Sequence, residues 1–320
     1  MTFTVSRRPA MLAALVACGS LVLTACGSSG DSTTTSGTAS TSAVTVAGVS
    51  IARDAALHDA LPASVKKAGK VRVATDVPYP PFEMYVTEGG KEMTGLDYDL
   101  GQALGAKLGV QFEFQAQKFD GIVPAIQAGK YDAAVSAITD NKEREQVVDF
   151  VTYSHSGTGI MVAKGNPDKI VTLDDLCGKK AAVQTGTNQQ KLLTKHQDAC
   201  KAAGKPAIDV QAFPKDSDAQ LALRSGKVAA DVLTKPAGGW TAKTADDGTA
   251  FELVDDPAAT GGYNASPNGI AIAKSLPELT DAVQKALQQL IDDGSLAKIY
   301  DKYGVASIAV AKAVKNGAVD

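Results

Sequence analysis

Two hydrophobic periods alternate along the chain and divide it into strands and helices. Val71-Arg72-Val73-Ala74-Thr75 alternates and reads as a strand. Asp76-Val77-Pro78-Tyr79-Pro80-Pro81-Phe82 then holds too much proline for a helix or a central strand. Leu96, Leu100, Leu104 and Leu108 share one helical face over 97–108, and Gly109 marks the stop. Next come a strand over 110–114, a helix over 119–128 ending at Gly129, a strand over 133–138 and a polar turn or short helix over 139–145. The pattern restarts after Lys164-Gly165-Asn166-Pro167. It predicts a short helix over 173–176, a strand over 180–183, a helix from Thr187, a strand over 208–213, a helix over 216–224 and a strand over 228–233. A second break, Gly261-Gly262-Tyr263-Asn264-Ala265-Ser266-Pro267, precedes a strand over 268–273. Ser275-Leu276-Pro277-Glu278 reads as a helix start with Ser275 as cap. Leu279, Val283, Ala286, Leu287 and Leu290 give that helix its apolar face. Gly294 ends it, and Ser295 caps a last helix that stops at Tyr303-Gly304.

Strands and helices in this alternation define an α/β protein. Two units separated by two Gly/Pro breaks predict two lobes joined by two crossing strands. Lobe 1 is expected at 66–163 plus 268–306 and lobe 2 at 168–263. Residues 49–69 read as a short helical lead-in, of which 49–65 precede the first lobe, and 307–320 form a C-terminal tail. Ligands of open α/β sheets bind at the carboxyl ends of strands. Between two lobes those ends face each other across a cleft that closes by hinging.

The first 25 residues read as a signal segment. Arg7 and Arg8 precede an apolar run over 10–25, too short for a membrane span. Leu23-Thr24-Ala25-Cys26 resembles the bacterial lipobox, which makes Cys26 the lipid attachment site; the alternative is an ordinary signal peptide cut near Ala25. Residues 27–42 are almost entirely Gly, Ser, Thr and Ala, and 26–48 is expected to be a lipidated flexible tether. The globular part is thus expected at the outer face of the cytoplasmic membrane. Cys18 leaves with the signal, so Cys177 and Cys200 remain to form a disulfide, with two buried free thiols as the alternative.

Composition narrows the function. Among 320 residues, 44% are hydrophobic and 21% charged, enough for real cores. Lys+Arg number 32 against 35 Asp+Glu, and this near-balance argues against nucleic-acid binding. His58, His155 and His196 show no ligand spacing with one another or with the cysteines, so neither metal nor cofactor is expected. There is no G-x-S-x-G, H-E-x-x-H or P-loop, and Gly157-x-Gly159 lacks its third glycine.

Five blocks carry a family resemblance: "GKVRVATDVPYPPFE" (69–83), "GLDYDLGQALGAKLG" (95–109), "FDGIVPAIQAGKYDAAVSAITDNKEREQVVDF" (119–150), "LCGKKAAVQTGTNQQ" (176–190) and "NGIAIAKSLPELTDAVQKALQQLIDDGSLAKIYDKYG" (268–304). Their order and spacing resemble the polar amino-acid (family 3) solute-binding proteins of bacterial ABC importers. The resemblance implies the periplasmic-binding-protein-like type II fold, two lobes with two crossing hinge strands. It implies an amino-acid ligand, an ABC permease as partner, a monomer and no catalysis.

By this resemblance Arg144 grips the ligand's α-carboxylate with its planar fork of donors. Thr139 and the amides near Ser136 and Ala137 complete the grip, and Thr185, Thr187 and Asn188, at a helix N-terminus, close over it from lobe 2. Asp76, Tyr79, Phe82 and Phe119 match the lobe 1 wall, where aromatic faces sandwich the ligand. From the residues alone, Arg144 is as readily a surface partner of Glu143 or Glu145, Thr185 or Thr187 an ordinary helix cap, and either phenylalanine core. One departure stands out. Where the family's strand ends in an ammonium-binding aspartate, this chain has Thr234 followed by Lys235, and Asp231 falls three positions too early. Lys235 beside the ligand would welcome an acidic or amide side chain over a basic one. Other readings are a small carboxylate lacking an α-amine, or an enzyme of dehydratase or lyase type on the same fold. Glu83 is the one candidate general acid near the Pro-rich loop, and is expected to face solvent or a backbone amide.

Overall fold

The computed structural model describes residues 43–319. The signal segment at 1–25, lipid attachment at Cys26 and the tether up to Ser42 lie outside the described residues. In the first lobe the chain forms β1 (Lys70–Thr75), α1 (Leu96–Leu108), β2 (Gln111–Ala116), α2 (Ile122–Gln127), β3 (Ala133–Ala134) and the one-turn α3 (Lys142–Glu145). The long strand β4 (Val148–Ala163) leads into β5 (Lys180–Gln184), α4 (Asn188–Ala202), β6 (Asp209–Phe213), α5 (Asp216–Arg224), β7 (Ala230–Thr234), α6 (Lys235–Thr244) and β8 (Phe251–Leu253). Strand β9 (Tyr263–Ala273) returns the chain to α7 (Pro277–Asp292) and α8 (Ser295–Lys302).

Nine strands share one sheet in the order β6-β5-β7-β4-β9-β3-β1-β2, with β8 also on β4. At one end β1 runs parallel to β2 and β3, and at the other β5 runs parallel to β6 and β7. The two antiparallel crossing strands lie between. The first part of β4 pairs with β9, from Val148 opposite Ala273 to Ser154 opposite Asn268. Its last part pairs with β7 and β8. A bulge separates Tyr263 from Ser266, where Gly157 meets Gly262. A Cβ on Gly157 would lie 2.5 Å from the Gly262 carbonyl carbon, and Gly262 has φ +91°. Neither position has room for a side chain.

Each lobe buries its own core. Leu100 and Leu104 of α1 pack with Leu279, Val283 and Leu287 of α7 on one face of lobe 1, and Ile122, Ile126, Ile138 and Phe150 fill the other. In lobe 2, Ile160, Val183, Leu193 and Val232 form the core beneath α4. Each fully buried Leu or Ile contributes about 1.5–3 kcal/mol.

Several local expectations change. No element is read over 146–162, yet β4 runs sixteen residues because it is buried on both faces and shows no alternation. The second Gly/Pro break belongs to β9 from Tyr263 onward. Residues 44–46, expected in the tether, pair with 49–51 as a hairpin, and Ala55–Asp59 and Ala63–Ala68 form the helical lead-in. Phe119–Gly121 is a 3₁₀ turn ahead of α2. Ser275 does not cap α7, whose cap residue is Leu276 with no side-chain bond. Ser295 is the first residue of α8, behind Gly294 at φ +74°. Among the described residues no helix is long and apolar enough to cross a membrane.

Candidate ligand-binding cleft

The ends of β1, β5 and β7 and the loops after them converge between the lobes. Asp76, Tyr79, Phe119, Ser136, Ala137, Thr139, Thr187, Asn188 and Thr234 line one cavity there, joined by Glu83, Gln184 and Gln189. Its volume is ≈ 20 Å³, room for about one water molecule. A larger ligand therefore needs the lobes to part or side chains to swing aside. An open groove of ≈ 680 Å³ adjoins it and shares Thr139, Asn188, Gln189 and Thr234.

Cross-lobe hydrogen bonds hold the walls together. Gln184 Nε2 donates to Asp76 Oδ2 at 2.5 Å. The Tyr79 hydroxyl bonds Thr234 Oγ1 at 2.8 Å and accepts from the Thr234 amide at 3.0 Å. Asn141 Nδ2 donates to Asn188 Oδ1 at 3.0 Å, and Lys191 pairs with Glu143 at the rim. Arg144 lies among these contacts. Its guanidinium donates to Thr139 O at 2.8 Å and to Gly186 O, in the lobe 2 loop, at 3.0 Å. It sits 5.5 Å from the Phe119 ring centre, within cation–π range. Burial pulls its pKa down to about 10, so it stays charged at neutrality. Glu143 pairs with Lys191 and Glu145 with Lys142; neither takes Arg144 in an ion pair. Thr187 caps α4, accepting from Gln190 N and donating to Gln184 O.

Of the expected site residues, Arg144, Phe82 and Thr185 line neither the cavity nor the groove, and Ala137 lines the cavity with its amide already engaged. Phe82 is 0% exposed and is part of the lobe 1 core, stacked under Tyr79 at 6.0 Å. Thr185 turns to β6, where its amide and hydroxyl both donate to Phe213 O. The Ala137 amide is committed to Asp97 Oδ2 at 2.7 Å, and Ala137 holds a strained φ of +45°. Lys235 points away from the cavity, with its ammonium donating to Ala259 O and Thr260 O. Lys235 therefore brings no charge into the cavity to favour the acidic or amide side chain expected from the sequence.

Buried acids surround the cleft: Asp76, Glu83 and Asp231 were singled out in the sequence, while Asp97 and Asp216 were not. Glu83 is 1% exposed, not solvated, and accepts from Ser136 Oγ at 2.6 Å. Burial and the neighbouring Asp97 push its carboxyl well above the ordinary range. Asp97 itself is raised by burial to about 6, and accepts from Tyr153 as well as Ala137. Burial lifts Asp76 to about 6 and Asp216 to about 7. Asp231 is 0% exposed inside lobe 2, its carboxyl oxygens without a hydrogen-bond partner among the described residues. Burial and Asp216 push its carboxyl well above the ordinary range, and it does not line the cavity.

Cys177 and Cys200 form a disulfide with Cα atoms 5.5 Å apart. His196, one turn before Cys200 on α4, joins them in a cluster whose spacing the sequence reading overlooked. The sulfurs bond each other, and His196 Nε2 meets Asp174 at 2.8 Å.

Two α/β lobes on crossing strands, with a charged and aromatic cleft between them, define a binding protein of the hinged type. Residues 71–306 match the family described as bacterial extracellular solute-binding proteins, family 3, and the chain belongs to that family. It is 30% identical over 264 residues to the L-cystine-binding protein TcyJ of Escherichia coli K12, covering 81% of this chain and 90% of TcyJ. It is 30% identical over 246 residues to the arginine-binding protein ArgT of Corynebacterium glutamicum, covering 77% of each. A solved ancestral arginine-binding protein bound to arginine superposes with a TM-score of 0.65 at 36% identity, covering 73% of this chain and 98% of that one. The ancestral amino acid-binding protein AncCDT-1, a precursor of cyclohexadienyl dehydratase, gives 0.64 at 35% identity, covering 75% and 97%.

Proposed function

We propose that this chain is the substrate-binding component of an ABC importer and takes a polar amino acid between its lobes. The observation that supports this most is Arg144: a charged fork at the lobe junction, over an aromatic ring, held by two carbonyls and by no carboxylate. Such a group matches an α-carboxylate in two parallel bonds. The ring of acids, Asp76 foremost, suits a ligand ammonium and a side chain that donates hydrogen bonds. With Lys235 turned away, amide and cationic side chains fit better than acidic ones. Glu83 supports the enzyme reading only weakly, because its carboxyl is tied to Ser136 and Asp97. On this reading the protein delivers ligand to a permease without converting it, held to the membrane through Cys26; palmitate labelling that survives Cys26→Ser would overturn the anchor.

Calorimetry against L-arginine, L-glutamine, L-cystine and L-glutamate tests the assignment. Arg144→Ala should weaken the best ligand about a hundredfold or more, since each bond to a charged group contributes about 1.5–3 kcal/mol. Unchanged affinity would remove Arg144 from the site, and conversion of a bound ligand would favour an enzyme.

A further inference from the structure

The last residues of the chain lie beyond the 71–306 span that matches the family, yet they run back across lobe 1. Gln288 and Gln284 of α7 bond the Ala313 amide and carbonyl at 2.9 and 3.0 Å. The chain then follows β4: Thr152 N donates to Val314 O at 2.9 Å and Asn316 N to Phe150 O at 3.0 Å. The Asn316 side chain accepts from Phe150 N at 2.8 Å and donates to Asp149 at 3.2 Å.

Beyond Asn316 the chain reaches the loop that carries Arg144. Gly317 N donates to Asp140 Oδ2 at 2.8 Å, and Ala318 N to Glu145 Oε1 at 3.0 Å. These carboxyls flank Arg144, four residues before it and one after. Asp140 is 1% exposed and lies against Glu145, and the Gly317 amide is the backbone donor that reaches its carboxyl. The guanidinium of Arg144 is held at its tip by Thr139 O, Gly186 O and the Phe119 ring, but its base stands on a short element. Its α3 helix is a single turn, capped by Asn141 through the Arg144 amide at 2.9 Å. A turn of four residues does not hold its own shape in water. Val319 ends the run on the groove beside Thr139 and Asn141.

We propose that residues 313–319 are a strap that positions Arg144 for the ligand carboxylate. The proposal rests on the amino-acid reading of the cleft. Two backbone amides clamp the two acids that bracket the arginine, and so fix the short helix on which it stands. The strap touches no ligand; it acts through the loop.

The test uses L-arginine and L-glutamine as probes on six proteins: the full chain, Arg144→Ala, Ala318→Pro, a chain ending at Ala313, and each of the last two changes combined with Arg144→Ala. Proline at 318 removes one amide donor and leaves the rest of the strap. Affinity should fall about tenfold with Ala318→Pro and further with the truncation, while urea midpoints show lobe 1 still folded. In the Arg144→Ala background both losses should vanish, a coupling that general destabilisation would not produce. If both altered chains bind as the full chain does, or if their losses persist without Arg144, the strap does not position it. If the full chain binds neither of these nor L-cystine nor L-glutamate, the ligand reading has failed, and the strap proposal with it.

Discussion

At the residue scale, the position where the family carries an ammonium-binding aspartate is the informative one. By the family resemblance Thr234 is expected there, and its hydroxyl and amide are both engaged by Tyr79 from the opposite lobe. Asp231 offers no substitute, because its carboxyl is sealed inside lobe 2. Asp76 faces the cavity and holds only Gln184 across it. An ammonium buried without an acceptor loses hydration it cannot recover, so Asp76 is the group expected to receive it. Asp76→Asn should cost at least about tenfold in affinity, as charge-assisted bonds of this kind contribute about 1.5–3 kcal/mol. Asp231→Asn should stay within a few-fold of the wild type. Side-by-side titrations decide it, and the reverse order would mean that β7 shifts register when the lobes part.

At the scale of elements, the helices and lobe cores follow from the periodic placement of Leu and Ile, so they were legible in the sequence. The crossing strands were only half legible. Strand β4 is covered on both faces, which removes the alternation that marks a strand, and its Ser, Thr, Gly and His residues resemble a loop. The same limit applied to the cleft: Arg144, Thr187 and Glu83 were singled out in the sequence, whereas the placing of Gln184 against Asp76 and of Asp216 near it follows only once folding brings distant segments together. Phe82 and Thr185 were misplaced because a one-dimensional pattern does not show which way a side chain turns. The disulfide was legible from cysteine arithmetic alone. It ties the start of β5's lead-in to the end of α4, within lobe 2. Replacing Cys177 and Cys200 with serine should destabilise lobe 2 by about 3 kcal/mol in the chain-entropy account. Ligand affinity at low temperature should be unchanged, because neither cysteine touches the cavity. A large affinity loss in calorimetry would place the disulfide in the mechanism of closure instead.

For the whole molecule, several acids are carried at raised pKa. Asp76 and Asp97 near 6, and Asp140 and Asp216 near 7, hold protons in the fold that they would release near 3.8 when unfolded. The folded state thus binds more protons across that interval, and the stability these groups give is lost as pH rises through 6 to 7. Asp54, Asp149 and Asp175 have lowered pKa values and act oppositely, withdrawing stability as pH falls below about 4. Urea midpoints of the ligand-free protein should therefore be higher at pH 5 than at pH 8 and fall again under stronger acid. A midpoint that rises steadily from pH 5 to 8 would show that these carboxyls are already ionised in the fold.

The raised pKa of Asp76 also reaches into the heat of binding. A cationic group arriving beside a carboxyl that titrates near 6 lowers that pKa, so a fraction of a proton leaves the cleft for each ligand captured. The buffer takes up that proton and adds its own ionisation enthalpy to the observed heat. Near pH 6, titrations in buffers of different ionisation enthalpy should give different apparent enthalpies for one ligand, and the slope of that plot counts the protons released. With Asp76→Asn the slope should flatten, which makes the proton a label for where the ligand's positive charge comes to rest.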